Sequence, residues 1–227
     1  AANIVVTSDG GACDSTGATI VSDSDGLWDL TIDTTDGTGT VAGNVSLGEF
    51  GNDSGNNDLA GAGARKFVND VQIDTTDTTA GSLTLTDDVR LDDDGSGGAS
   101  QFTFTGSGDV IVAATLLIDT EDGNTANADG GPVDFGTSNV FASTAGLTLT
   151  IETATTAGGR SAGDVTFGLV DDNAGVAQFL QSLIVNADGA TDGAVLLNGD
   201  VFVDGGALTM DGRIHLPASR IIDSEQG

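Results

Sequence analysis

The phrase LLIDTEDG, Leu116 to Gly123, returns near the end of the chain as RIIDSEQG, Arg220 to Gly227, at an offset of 104 residues. It is not an isolated echo. SLTLTDDVRLDD (Ser82 to Asp93) falls on AVLLNGDVFVDG (Ala194 to Gly205), and KFVNDVQIDT (Lys66 to Thr75) falls on QFLQSLIVNA (Gln178 to Ala187), both at 112. NVSLGEFGNDSG (Asn44 to Gly55) meets DVTFGLVDDNAG (Asp164 to Gly175) at 120, and DLTIDTTDGTG (Asp29 to Gly39) meets TLTIETATTAG (Thr148 to Gly158) at 119. A chain that restates its apolar phrases in order is expected to fold into stacked units that pack alike. The expectation is one unit over residues 1–227, made of two long repeats, 4–116 and 117–220, and the first strand of a third, 221–227. The offsets drift because insertions such as GNDSGNNDLAGAGA (Gly51 to Ala64) fall between apolar runs, as surface loops do.

A shorter beat runs inside the long one. Apolar phrases ending in Asp, Glu or Asn recur at Ile32, Ile73, Ile118, Ile151, Val185 and Ile222, the last four 33, 34 and 37 residues apart. A second phrase follows later ones: VDFG (Val133 to Gly136), VTFG (Val165 to Gly168) and VLLNG (Val195 to Gly199). Leu147, Leu149 and Ile151 alternate with polar residues, as do Phe102 with Phe104 and Val201 with Val203. That two-residue period belongs to strands with one buried face. The one helix-like stretch, GVAQFLQSLIV (Gly175 to Val185), aligns with a strand-like partner and is read as strand. All-β units of about 35 residues, each like the next, point to a parallel β-helix, a β-solenoid of about six coils. Two tandem immunoglobulin-like sandwiches match the long period and are the alternative, but a sandwich has no reason to repeat within itself.

Composition narrows the function. The 227 residues carry 35 Asp and Glu against 6 Lys and Arg, a formal net charge of -29. Such a chain has little to offer nucleic acid, whose binding is driven by cations that displace counterions, or an anionic membrane surface. No run of 18 apolar residues is present to insert in a membrane as a helix. No charged-then-apolar leader opens the sequence, so the chain is expected to be mature or an excerpt. Cys13 is alone, which rules out an internal disulfide.

The phrases GDVTFG, LTIDTTDG and GALTMDG resemble the β-strand repeats of large bacterial surface proteins of the filamentous-haemagglutinin-like and autotransporter-passenger kind. The resemblance implies a right-handed parallel β-helix, export to the cell surface or beyond, and a role in adhesion or in building an extracellular layer or fibre. It carries over no functional residue.

No motif names a reaction. Asp92, Asp93 and Asp94, in LDDDGSGG, are the calcium candidates, as loop carboxylates that could hold an ion weakly; solvated turns are the plainer reading. SDSDG (Ser22 to Gly26) fails as an EF-type loop, because the first and last ligand positions would be Val21 and Ile32. The lone histidine, His215, aligns with Ile111, an ordinary strand position, and Trp28 lies among leucines as packing. With one His, one Trp and no Tyr, neither a nucleophilic triad nor an aromatic sugar floor can be assembled, and no enzyme is expected. No cofactor is expected beyond such weakly held calcium. A polysaccharide-cleaving β-helix is the remaining enzymatic alternative.

Solenoid ends expose strand edges and an apolar cross-section unless atypical units cap them. AANIVVTSDGG at one end and RIIDSEQG at the other read as strand, not as cap. The expected function is therefore structural: an extracellular filament, stalk or surface layer built by head-to-tail continuation of the coil, with the chain itself as partner. An adhesin segment gripping a host or matrix ligand is the alternative.

Overall fold

The computed structural model describes residues 3–22, 28–51, 67–92, 99–121, 129–155, 159–172 and 178–225. Every regular element in them is a strand. The strands come in threes. The first coil holds β1 (Ile4–Thr7), β2 (Cys13–Asp14) and β3 (Thr19–Ile20); the second β4 (Leu30–Asp33), β5 (Val45–Leu47) and β6 (Glu49–Phe50). The third has β7 (Val71–Asp74), β8 (Leu83–Leu85) and β9 (Val89–Arg90); the fourth β10 (Phe102–Thr105), β11 (Val110–Val112) and β12 (Leu116–Asp119). The fifth has β13 (Val133–Asp134), β14 (Asn139–Ala142) and β15 (Thr148–Glu152); the sixth β16 (Val165–Phe167), β17 (Leu169–Val170) and β18 (Ser182–Asn186). The seventh has β19 (Ala194–Leu197), β20 (Val201–Phe202) and β21 (Leu208–Asp211), and the eighth β22 (Arg213–His215) and β23 (Ile222–Asp223).

Each strand pairs in parallel with its counterparts one coil before and after, giving two eight-stranded sheets and one of seven. This is the parallel β-solenoid, not a pair of sandwiches. It has about eight coils where the phrase spacing suggests about six. The reason is coil length: successive partners Val71, Phe102, Val133, Val165 and Val195 are 31, 31, 32 and 30 residues apart, and the last step, to Ile214, takes only 19.

The side-chain period of two follows from the pleat, and it fills the interior with columns. On the first sheet one column runs Ile4, Leu30, Val71, Phe102, Val133, Val165, Val195, Ile214. On the second it runs Cys13, Val45, Leu83, Val110, Val140, Val170, Val201, Ile222. On the third it runs Ile20, Phe50, Val89, Ile118, Ile151, Val185, Met210. Between the terminal coils these positions are buried in one continuous core. Phenylalanines stack within it, with ring centres 6.1 Å apart for Phe102 and Phe135 and 5.7 Å for Phe135 and Phe167.

Corners are made by one recurrent device. Thr34, Thr75, Thr120 and Thr153 end strands with their side chains buried. Each hydroxyl donates across the corner to a glycine carbonyl, Gly43, Gly81, Gly131 and Gly163 respectively, at 2.8 to 2.9 Å. A buried hydroxyl needs such a partner, and the bond pinches the turn shut. These glycines lie on the backbone of the coil below, which leaves no room for a side chain.

The device changes corner partway along the rod. Thr34 and Thr75 follow strands of the first sheet, β4 and β7, whereas Thr120 and Thr153 follow strands of the third, β12 and β15. This explains where the long-period matches fall. They join β4 to β15, β5 to β16, β7 to β18, β8 to β19 and β12 to β23, eleven strands apart each time. Eleven is not a multiple of three, so phrases alike in sequence sit on different sides of the rod. The unit that the backbone stacks is the single coil.

Candidate functional site

The acidic side chains, the most conspicuous chemistry in the sequence, serve mainly the backbone. One set closes turns: Asp14, Asp33, Asp74, Asp119, Asp134 and Asp223 each accept the N–H two residues ahead, at 2.8 to 2.9 Å. These are Asx-turns at strand ends. A second set stitches coil to coil. Asp70, Asp88, Asp164 and Asp200 accept the N–H of Gln101, Leu117, Ala194 and Ile221 in the next coil, at 2.7 to 3.0 Å. Burial pushes the Asp70 carboxyl up against the lowering effect of its hydrogen bonds from Gln101. Burial also raises Glu152, opposed by the Asn186 amide that donates to it at 2.7 Å. The exposed Asp14 carboxyl is held low by its bonds from Thr16.

Of the calcium candidates, Asp92 is not the solvent-screened loop carboxylate that its neighbours suggest. It is fully buried, because Val68 lies alongside Leu91 in a short parallel bridge and accepts the Asp92 N–H at 3.3 Å. Asp93 and Asp94 lie outside the described residues. Among the described residues, no three His, Cys, Asp or Glu side chains converge to hold a metal ion. His215 is exposed on β22, in line with its reading as a strand residue. Trp28 lines an apolar groove of about 490 Å³ with Ile4, Ile20, Val21 and Leu30, at the first coil. Cys13 is half-buried at the same end, and burial, with help from Asp14, pushes its thiol up.

Apolar exposure is concentrated on the first and eighth coils. Exposed large apolar side chains among the described residues are Ile4, Val5, Val6 and Val21 on the first coil, Ile214, Leu216, Ile221 and Ile222 on the eighth, and otherwise Val41. They are members or neighbours of the inner columns. Ile4 is 55% exposed and Ile214 50%, while the five residues between Leu30 and Ile214 in their column are 0% exposed. Among the described residues, β1 and β22 are the outermost strands of the first sheet.

Cations are placed unevenly: the first 64 residues contain no Lys, Arg or His, whereas the last coil holds Arg213, His215 and Arg220 together with Asp223 and Glu225. Elsewhere Arg90 pairs with Asp88 at 3.0 Å and Arg160 approaches Asp129 at 3.9 Å. Arg213 and Arg220 instead donate to carbonyl oxygens of the coil beneath, Asp192 and Leu197, both at 3.1 Å. The positions of six cations in the sequence were the signal for this asymmetry; the count alone conceals it.

These columns, corners and stitches define the class: an all-parallel, three-sided β-solenoid repeat protein. Comparison with protein-family models, with curated proteins and with solved structures finds no match to the chain.

Proposed function

We propose that the protein is a structural solenoid segment of an extracellular filament, stalk or surface layer, extended end to end by further coils. The observation that carries this reading is the column from Ile4 to Ile214, buried along its length and open at both extremities. An apolar cross-section with free strand edges costs free energy in water, and another coil removes that cost by adding both core contacts and a ladder of hydrogen bonds. The lateral surface supports the same reading, since its carboxylates are used in turns and stitches and no reactive centre is required. The resemblance to bacterial haemagglutinin-like and autotransporter-passenger repeats agrees with a surface or extracellular location. The purified chain, followed by light scattering and negative-stain microscopy over rising concentration, is expected to form rods that lengthen at constant width. A chain that stays monomeric at high concentration would overturn the proposal.

A further inference from the structure

We infer that Asp109 and Asn139 form a proton-dependent clasp between the fourth and fifth coils: the protonated Asp109 carboxyl donates to Asn139 Oδ1, and ionisation opens the bond. The clasp is internal to the rod and does not depend on the filament reading.

Its first support is position. Asp70, Asp88, Asp164 and Asp200 each stand one residue before an inner column, directly under the residue whose N–H they accept. Asp109 holds the same place before Val110, directly under Asn139. Its carboxyl nevertheless accepts no hydrogen bond among the described residues. Ladder neighbours stand ~4.8 Å apart, so this carboxyl and the Asn139 amide share one stretch of the outer face.

The amide itself is the second support. Asn139 Nδ2 donates to the Asp172 carbonyl in the sixth coil at 3.0 Å. A carbonyl only accepts, so the amide cannot be turned round, and Oδ1 is fixed on the branch away from Asp172. That Oδ1 is buried and meets no donor among the described residues. A buried acceptor left in this state is costly. An ionised carboxylate cannot help, because it too only accepts; a protonated one carries an O–H. One proton therefore satisfies both groups.

The surroundings agree. Burial pushes the Asp109 carboxyl up. Its ladder neighbours are uncharged, Ser82 below and Asn139 above with Leu169 beyond, and the next outward residue on its own strand is Ile111. No strand of the second sheet contains Lys, Arg or His. The acids around this face are Asp134 across the corner of the fifth coil, which accepts the Gly136 N–H, Asp171 and Asp172 two rungs up, and Asp14 and Asp200 three rungs away at ~14 Å. A raised carboxyl binds its proton more tightly in the fold than in the unfolded chain. The clasp is thus complete below the unfolded value and is lost as pH rises through the folded one.

Carboxyl carbon-13 and side-chain amide nitrogen-15 NMR on the full chain read the clasp directly. Asp109, assigned by the loss of its signal in Asp109→Asn, and the Asn139 NH2 are expected to titrate with one shared midpoint. Asn139→Ala should lower the proton affinity of Asp109 about two- to tenfold, the worth of one hydrogen bond. Asp109→Asn supplies an N–H donor at every pH, so it should melt higher than the parent at neutral pH and no higher in acid. Asp109→Ala removes the same charge without adding a donor and should show no such gain. Titration of Asp109 with no response at Asn139 would overturn the clasp. So would an alanine variant that gains as much as asparagine, since relief of charge alone would then account for the effect. Closure by added calcium at neutral pH, with no response to acid, would replace the proton by a cation and overturn it as well.

Discussion

Gly163 lies so close over Gly131 that a Cβ on it would stand 2.0 Å from the Gly131 carbonyl oxygen. The obstacle is backbone, and it is repeated a coil later, where Gly193 meets Gly163 at the same 2.0 Å. Two rungs cannot separate here without loosening the ladders on either side. Gly163→Ala is therefore expected to cost about 1–3 kcal/mol, the range for overpacking a tight interior. Gly37→Ala is the control: its nearest obstacle is a side-chain oxygen of Asp9 at 3.9 Å, and it should change stability by about 0.5 kcal/mol or less. Chemical unfolding followed by circular dichroism compares the two; equal effects would remove the backbone contact as the cause.

Thr153 belongs to the same corner. Its hydroxyl donates to Gly163 from a fully buried position, and no water can replace it. Thr153→Val keeps shape and removes the donor, leaving the carbonyl short of a partner, at a cost of about 1–3 kcal/mol. Thr153→Ser keeps the donor and loses a methyl, at about 1 kcal/mol. If valine is tolerated as well as serine, the hydrogen bond does not hold the corner.

These corners also explain what could be read in the sequence. Alternation in Leu149 and Ile151 or in Phe102 and Phe104 gave strands, and the beat of VDFG, VTFG and VLLNG matched true register partners, Val133, Val165 and Val195. The long matches join strands of different sheets, as Thr34 after β4 aligns with Thr153 after β15, while the Thr and Gly corner moves from the first sheet's exit at Thr75 to the third sheet's exit at Thr120. A corner motif is local chemistry; the side of the rod it occupies depends on how many residues the intervening turns use. Burial of Asp92 was hidden because its neighbour Leu91 pairs with Val68 in an isolated bridge, too short to leave a pattern in the sequence. The strands of the first and last coils were legible, because IVVT and RIID are short apolar runs bounded by polar residues.

Phe135 tests whether the core acts as columns. Its ring sits between those of Phe102 and Phe167, at 6.1 and 5.7 Å, and is fully buried. Phe135→Ala opens a cavity bordered by three coils and is expected to cost about 3–5 kcal/mol. Phe135→Leu should recover at least half of that. Because coils contact mainly their neighbours, the loss should appear in hydrogen exchange first on β10, β13 and β16. Uniform loss of protection along the rod would argue for a single cooperative block instead.

Acidification should stabilise the rod before it destroys it. Burial raises the carboxyls of Asp70, Asp109 and Glu152. A raised carboxyl favours the protonated form in the fold, so its contribution grows as pH falls through the folded value and is complete below the unfolded one. Relief of self-repulsion among the excess carboxylates adds in the same direction. The lowered groups, Asp14 and Asp36, act oppositely: their contribution is present above the unfolded value and is lost as pH falls through the lowered one. With ordinary carboxyls near ~4, the melting temperature should rise from pH 7 to about pH 5 and fall below about pH 3.5. A steady decline from pH 7 downward would show that charged stitches outweigh burial and repulsion.

Asp164 separates those two roles of the carboxylates. Its Oδ1 accepts the Ala194 N–H at 2.7 Å, bridging two coils at the entry to β16 and β19. If the residue serves as an acceptor, Asp164→Asn should be nearly neutral, because the amide oxygen fills the same place while one negative charge disappears. Asp164→Ala should cost about 1 kcal/mol, the net worth of one hydrogen bond. If it serves only as solvating charge, the ordering vanishes and both variants gain stability through reduced repulsion. Melting curves of the two variants at neutral pH decide the matter. The same position is filled by Asp70, Asp88 and Asp200, so the result bears on three junctions of this acidic rod: third to fourth coil, sixth to seventh, and seventh to eighth.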